Sequence, residues 1–155
     1  MAVERDLAVE MSDGTRLLAD RWYPVAGGPF PHPPPLVLVR TPYGRWRLRI
    51  IGRLLAERGY QALLQSCRGT FGSGGEWDPF HQEASDGVDT TKWIANQPWG
   101  SVPVLTYGSS YMGLTQWALA GQRPPALTAM SLNNTASCFR DAVVFPGNSF
   151  SYETG

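Results

Sequence analysis

The sequence predicts an α/β fold, a parallel sheet with helical crossovers entered through an antiparallel hairpin. Three observations carry this prediction. Short continuous apolar runs alternate with segments of helical periodicity, an Asp-Gly pair separates two extended runs near the start, and residues 110–120 are apolar nearly all round. Continuous apolar runs suit strands covered on both faces, the usual condition of a parallel sheet between helices.

The elements follow in order. "LAVEMSDGTRLLADRWYP" holds two extended runs around Asp13-Gly14, a two-residue hairpin signal. "VAGGPFPHPPP" is a surface connection stiffened by prolines. "PLVLVR" is a buried strand. Trp46, Ile50, Ile51, Leu54 and Leu55 then recur at helical spacing, with arginines on the other face and Gly59 as the stop. "YQALLQSC" is the next strand, followed by the Gly-rich "RGTFGSGGEWDPF", expected as a flexible connection near the site. A helix from about Glu83, with Val88, Thr91, Ile94 and Ala95 along one side, ends near Gln97-Pro98. "VPVLTY" is a third buried strand, residues 110–120 an enclosed helix closed by Gly121, and "LTAMSLNN" a fourth strand. The tail "TASCFRDAVVFPGNSFSYETG" completes no pattern.

At 155 residues, with 43% apolar and 17% charged residues, the chain has the size and composition of one globular domain. Thirteen basic residues balance thirteen acidic ones, which gives no ground for nucleic acid or an anionic membrane as partner. Acidic residues in "MAVERDLAVEMSDG" argue against a secretory leader, and no apolar run approaches spanning length, so a cytoplasmic protein is expected. Cys67 and Cys138 have no metal-like spacing and are expected as thiols. No metal or cofactor is indicated: "GTFGSGG" lacks the GK[ST] ending of a phosphate loop and the full G-x-G-x-x-G spacing. Arg45, Arg47, Arg49, Arg53 and Arg58 are expected as a solvated helix face, and Trp77, Trp93, Trp99 and Trp117 as core or sheet-edge aromatics.

The chemistry centres on "VLTYGSSYMGLTQ", where a strand turns at two serines into a helix. A nucleophile at such a turn needs small neighbours, and the helix N-terminus beside it favours developing negative charge. Gly108 lies two residues before Ser110, whereas Tyr107 lies two before Ser109, so Ser110 is the candidate. Met112 occupies the second glycine position of the G-x-S-x-G elbow, with Gly113 one later, and Ser110 as a helix N-cap remains open on these residues alone.

Several ordered motifs resolve this. "MSDGTRLLADRWYP", "LVLVRTPYGR", "RGYQALLQSCRGTFGSGGEW", "EASDGVDTTKWIANQPW", "YGSSYMGLTQWALA" and "PPALTAM" together resemble the Xaa-Pro dipeptidyl-peptidase-like serine hydrolases, which include bacterial cocaine esterases and α-amino acid ester hydrolases. That family's motif is G-x-S-Y-x-G, matched by Gly108, Ser110, Tyr111 and Gly113. The resemblance implies an α/β-hydrolase fold, with residues 1–135 as its N-terminal portion and 136–155 as the start of a helical cap insertion, truncated there. It implies Ser110 as the acylated nucleophile, the Tyr111 backbone N–H as one oxyanion donor and the Tyr43 hydroxyl as the other. The substrate would be a small-molecule ester or an X-Pro peptide.

The chain departs from the family at Ser66, where an aspartate is usual, and at Val102 and Leu105, where glycines are usual. The missing acid is expected to cost Arg68 a partner. A serine needs a histidine base and an orienting acid, which in this fold follow the nucleophile as Asp or Glu and then His. His32 and His81 both precede Ser110, and the only later acids are Asp141 and Glu153. The chain is therefore expected to be part of a longer hydrolase and inactive alone. A non-catalytic remnant, whose open sheet edge would call for self-association or a partner, is the rival reading.

Overall fold

A computed structural model of the chain describes residues 1–25 and 28–138. Asp141, Glu153 and most of the expected cap start lie outside the described residues. Six strands form one sheet: β1 (Ala2–Glu10), β2 (Arg16–Tyr23), β3 (Leu36–Thr41), β4 (Gln61–Ser66), β5 (Val104–Ser109) and β6 (Leu127–Asn133). The spatial order is β1-β2-β4-β3-β5-β6. β1/β2 and β2/β4 pair antiparallel, while β4/β3, β3/β5 and β5/β6 pair parallel. Helices α1 (Arg49–Glu57), α2 (Glu83–Ala95) and α3 (Tyr111–Gly121) cross between them. This is the predicted mixed sheet of the α/β-hydrolase fold.

Two apolar cores, one per face, explain why the central strands are continuously hydrophobic. Leu36 and Leu38 of β3 join Leu63, Ile94, Val104 and Leu119 in one core, while the alternate residues Val37 and Val39 join Trp22, Ala56, Ala62 and Leu64 in the other. The two-residue period of a strand thus sends apolar side chains to both layers. Val102 and Leu105, the non-glycine departures, are partly buried and pack one against each core.

Several expectations are corrected. β1 begins at Ala2, well before Leu7, with an irregularity between Glu4 and Leu7 where Asp6 takes φ 54°. The hairpin is wider than two residues: Glu10 pairs with Arg16, Met11 N–H donates to Thr15 O at 2.8 Å, and Asp13 Oδ1 accepts from Thr15 N–H at 2.9 Å. The apolar stripe of α1 is only partly inward. Gly52 and Ala56, with Leu48 of the 3-10 turn before it (Arg45–Leu48), are buried, whereas Ile50 and Leu54, with Trp46 of that turn, are exposed. Gly52 lets α1 lie on the sheet, because a Cβ there would sit 2.6 Å from the Trp22 ring. On α2, Ala95 is exposed and the buried face instead carries Glu83, Asp86, Gly87, Thr90, Thr91 and Ile94.

The Gly-rich loop is fastened rather than loose. Gly69 N–H donates to Gly74 O, Gly74 N–H to Arg16 O, and the Ser73 hydroxyl to Ser66 O while accepting from Leu18 N–H. Trp93 and Trp99 pack together beside the first core, but Trp77 and Trp117 are exposed. Among the described residues, no helix is long and apolar enough to cross a membrane.

Candidate active site

Parallel strands align their C-terminal ends, so the loops after β3, β4 and β5 meet at one edge of the sheet. The pairing Leu36↔Val104 fixes that alignment. β3 delivers Tyr43 and β5 delivers Ser110, and Tyr43 Oη lies 3.3 Å from Ser110 Oγ. Two of the expected residues, distant in sequence, are therefore neighbours.

Ser110 sits between β5 and α3 with φ 55° and ψ −127°, a sparsely populated conformation for a residue with a Cβ. Its N–H donates to the carbonyls of Asn133 and Asn134, both at 3.1 Å. Its carbonyl accepts from Gly113 N–H and Leu114 N–H. The side chain makes no capping hydrogen bond, which removes the N-cap reading and leaves the hydroxyl directed to Tyr43. Both motif glycines are required by space. A Cβ on Gly108, at φ +151°, would lie 2.4 Å from Met112 Cβ, and one on Gly113 would lie 2.5 Å from Thr135 Cγ2. Met112, at the supposed second glycine position, belongs to the apolar core.

Tyr111 is the first residue of α3, where a backbone N–H has no partner inside the helix. Its hydroxyl donates to Glu83 Oε1 at 2.9 Å and accepts from Phe80 N–H at 3.0 Å. Its ring packs against Trp77 and Phe80, with centroids at 5.3 and 5.5 Å. Burial, and then the adjacent Glu83 carboxylate, push the phenol above its usual range, so it stays a donor.

Beneath these residues lies a buried charge network that reading the sequence missed. Arg40 pairs with Glu83 at 2.9 Å and approaches Asp86 at 3.7 Å, donates to Glu83 O at 2.7 Å, and reaches Gln65 Oε1 at 2.9 Å. Arg68 binds Asp86 through two nitrogens, at 2.6 and 3.1 Å, and Asp13 at 2.7 Å. Arg68 thus has two acidic partners from elsewhere, and residue 66 supplies it none. Ser66 Oγ instead accepts from Arg45 at 3.2 Å. Arg45 is no solvated helix residue either, since it pairs with Asp20 at 3.0 Å and with Asp6 and donates to Phe71 O. The available signal was Arg40 itself, an arginine in a strand otherwise apolar on both faces.

The histidines are not part of this constellation. His81 is exposed and bonded to Asp78 at 2.8 Å. His32 lies at the opposite edge of the sheet, in a cavity of about 350 Å³ with Arg21, Tyr23 and Trp99. Among the described residues, neither is bonded to Ser110.

Residues 13–155 match the family model described as X-Pro dipeptidyl-peptidase (S15 family). A cocaine esterase from Rhodococcus sp. (strain MB1 Bresler) is 35% identical over 159 residues, covering 98% of this chain and 27% of that protein. The crystal structure of a CocE/NonD family hydrolase from Staphylococcus aureus superposes with a TM-score of 0.68 at 28% identity, over 83% of this chain and 26% of the other. An α/β hydrolase from Novosphingobium aromaticivorans, at 21% identity, shares the fold with a TM-score of 0.62 over 88% of this chain and 46% of its own. The chain spans about a quarter of the length of the curated relatives it matches.

Proposed function

The chain belongs to the X-Pro dipeptidyl-peptidase (S15) family of hydrolases, and we propose that it carries the nucleophile and oxyanion donors of a serine hydrolase that cleaves acyl esters or X-Pro peptides through an acyl-enzyme. The observation that carries this reading is the strained Ser110 turn, with its hydroxyl uncommitted to capping and 3.3 Å from the Tyr43 hydroxyl.

In this mechanism Ser110 Oγ attacks the substrate carbonyl carbon while its proton passes to an imidazole base. The carbonyl oxygen becomes an oxyanion, accepted by the Tyr43 hydroxyl and the Tyr111 N–H. Collapse breaks the bond to the leaving alcohol or amine, which takes the proton from the base. Water then repeats the sequence on the acyl-serine, releasing the acid. Because neither His32 nor His81 is bonded to Ser110, the imidazole base is taken, on this reading, from outside these 155 residues.

The test compares the product of the complete reading frame with its Ser110→Ala variant on an activated ester, alongside the isolated 155-residue chain. Turnover by the complete product alone, with loss in the variant, supports the reading. Undiminished turnover in Ser110→Ala overturns it, and serine-dependent turnover by the isolated chain overturns the placing of the base outside these residues.

A further inference from the structure

Beyond the groups assigned to the reacting atoms, we propose that Glu83 is a positioning residue that locks the two oxyanion donors to one another. The proposal rests on Ser110 being the nucleophile. Glu83 is the first residue of α2 and only 3% exposed, so its carboxylate needs strong partners to persist there. It has one on each side of the site. Oε1 accepts from the hydroxyl of Tyr111, whose N–H is the first donor, and Oε2 pairs with Arg40 of β3, three residues before Tyr43, the second donor.

The two donors sit at element ends, where backbone is least constrained. Tyr111 opens α3 directly after the strained Ser110, and helix ends fray. Tyr43 follows the last residue of β3 by two positions, is 43% exposed, and is tied locally by its N–H to Thr41 Oγ1 at 3.0 Å. A single carboxylate bonded to both elements converts two loose ends into one unit. Arg40 is itself held at Gln65 Oε1 and at the Glu83 carbonyl, so the unit is anchored in the sheet. The Trp77 and Phe80 rings against Tyr111 leave its phenol little freedom to swing away. Donors that aim without reorganising stabilise a developing oxyanion most.

A purely structural Glu83 would affect melting and leave the chemical step alone, so the assay separates these. In the complete reading-frame product, Tyr111→Phe removes only the hydroxyl, leaving the ring and the Arg40–Glu83 pair in place. The expected result is a roughly tenfold fall in kcat with KM within twofold; melting also falls, because Glu83 Oε1 loses a donor, so the kcat-against-KM split is the deciding readout. Glu83→Gln should lower kcat at least as far, because it also weakens the Arg40 pair, and its effect in the Tyr111→Phe background should be clearly smaller than in the parent, because the Tyr111 hydrogen bond is common to both. A Tyr111→Phe variant with kcat within twofold of the parent overturns the proposal, as do independent, multiplying effects. If Glu83→Gln does not fold, Tyr111→Phe decides alone. Ser110→Ala run in parallel keeps the outcomes apart: turnover surviving there sinks the nucleophile reading instead.

Discussion

Replacing Tyr43 with phenylalanine isolates one hydroxyl. The ring stays, so no cavity opens, and the lost contact to Ser110 Oγ at 3.3 Å is long for a hydroxyl pair. Its ground-state loss is therefore worth at most about 1 kcal/mol. In the transition state the same hydroxyl faces a full oxyanion, and removing one such donor typically costs about 2.7–4 kcal/mol in an enclosed site. Tyr43 is 43% exposed, and water substitutes for part of that donation, which lowers the figure. A loss of about 2–3 kcal/mol remains, equivalent to roughly 30- to 160-fold in kcat. KM should hardly move, since the interaction strengthens only as charge develops. Steady-state hydrolysis of a p-nitrophenyl ester by the complete reading-frame product measures both constants. A fall in kcat below threefold, or an unchanged kcat with a raised KM, would show that Tyr43 binds substrate or packs and does not serve the oxyanion.

Two further outcomes follow from the charge network. Arg40→Met leaves the Glu83 carboxylate buried without its cation, and breaking such a pair costs about 3–5 kcal/mol. At about 2–4 °C per kcal/mol for a domain of this size, melting should fall by roughly 6–20 °C, and a drop under 3 °C by circular dichroism would contradict the account. Asp13 gives a pH signature. The Thr15 backbone N–H, and then the Arg68 guanidinium, hold its carboxyl at about 2, below its ordinary 3.8. A depressed folded-state value means its contribution is complete above the unfolded value and is lost as pH falls from about 4 towards 2. The melting advantage of the parent over Asp13→Asn should be constant at neutral pH and shrink through that window. An advantage that persists undiminished at pH 2 would refute it.

Much of the sheet was readable because its cause is local. "PLVLV" is apolar on both sides of a two-residue period, and only a strand covered by two layers needs that. Gly108 and Gly113 marked the serine turn for a steric reason, and the same spacing chose Ser110 over Ser109. The charge network was not readable. Glu83 and Asp86 look like ordinary acids in a helix's first turn, a position that favours them even in solvent. Only the meeting of β3, β4 and α2 shows that these acids face Arg40 and Arg68. The outward Ile50 and Leu54 on α1, and Trp46 in the 3-10 turn before it, failed similarly, because helical spacing gives the stripe but not which part of it the sheet covers. The proximity of Tyr43 to Ser110 depends on β3 lying beside β5, and the order of strands in space is invisible to local pattern.

The turn at Ser110 has a temporal consequence. Its N–H is held by the carbonyls of Asn133 and Asn134, and the hollow at Gly113 is filled by Thr135. These clasping residues come more than twenty positions after the serine. During synthesis from the N-terminus, the serine is thus made before the backbone that holds it in its strained pose, and on the proposed function its hydroxyl would not be presented until β6 has docked beside β5.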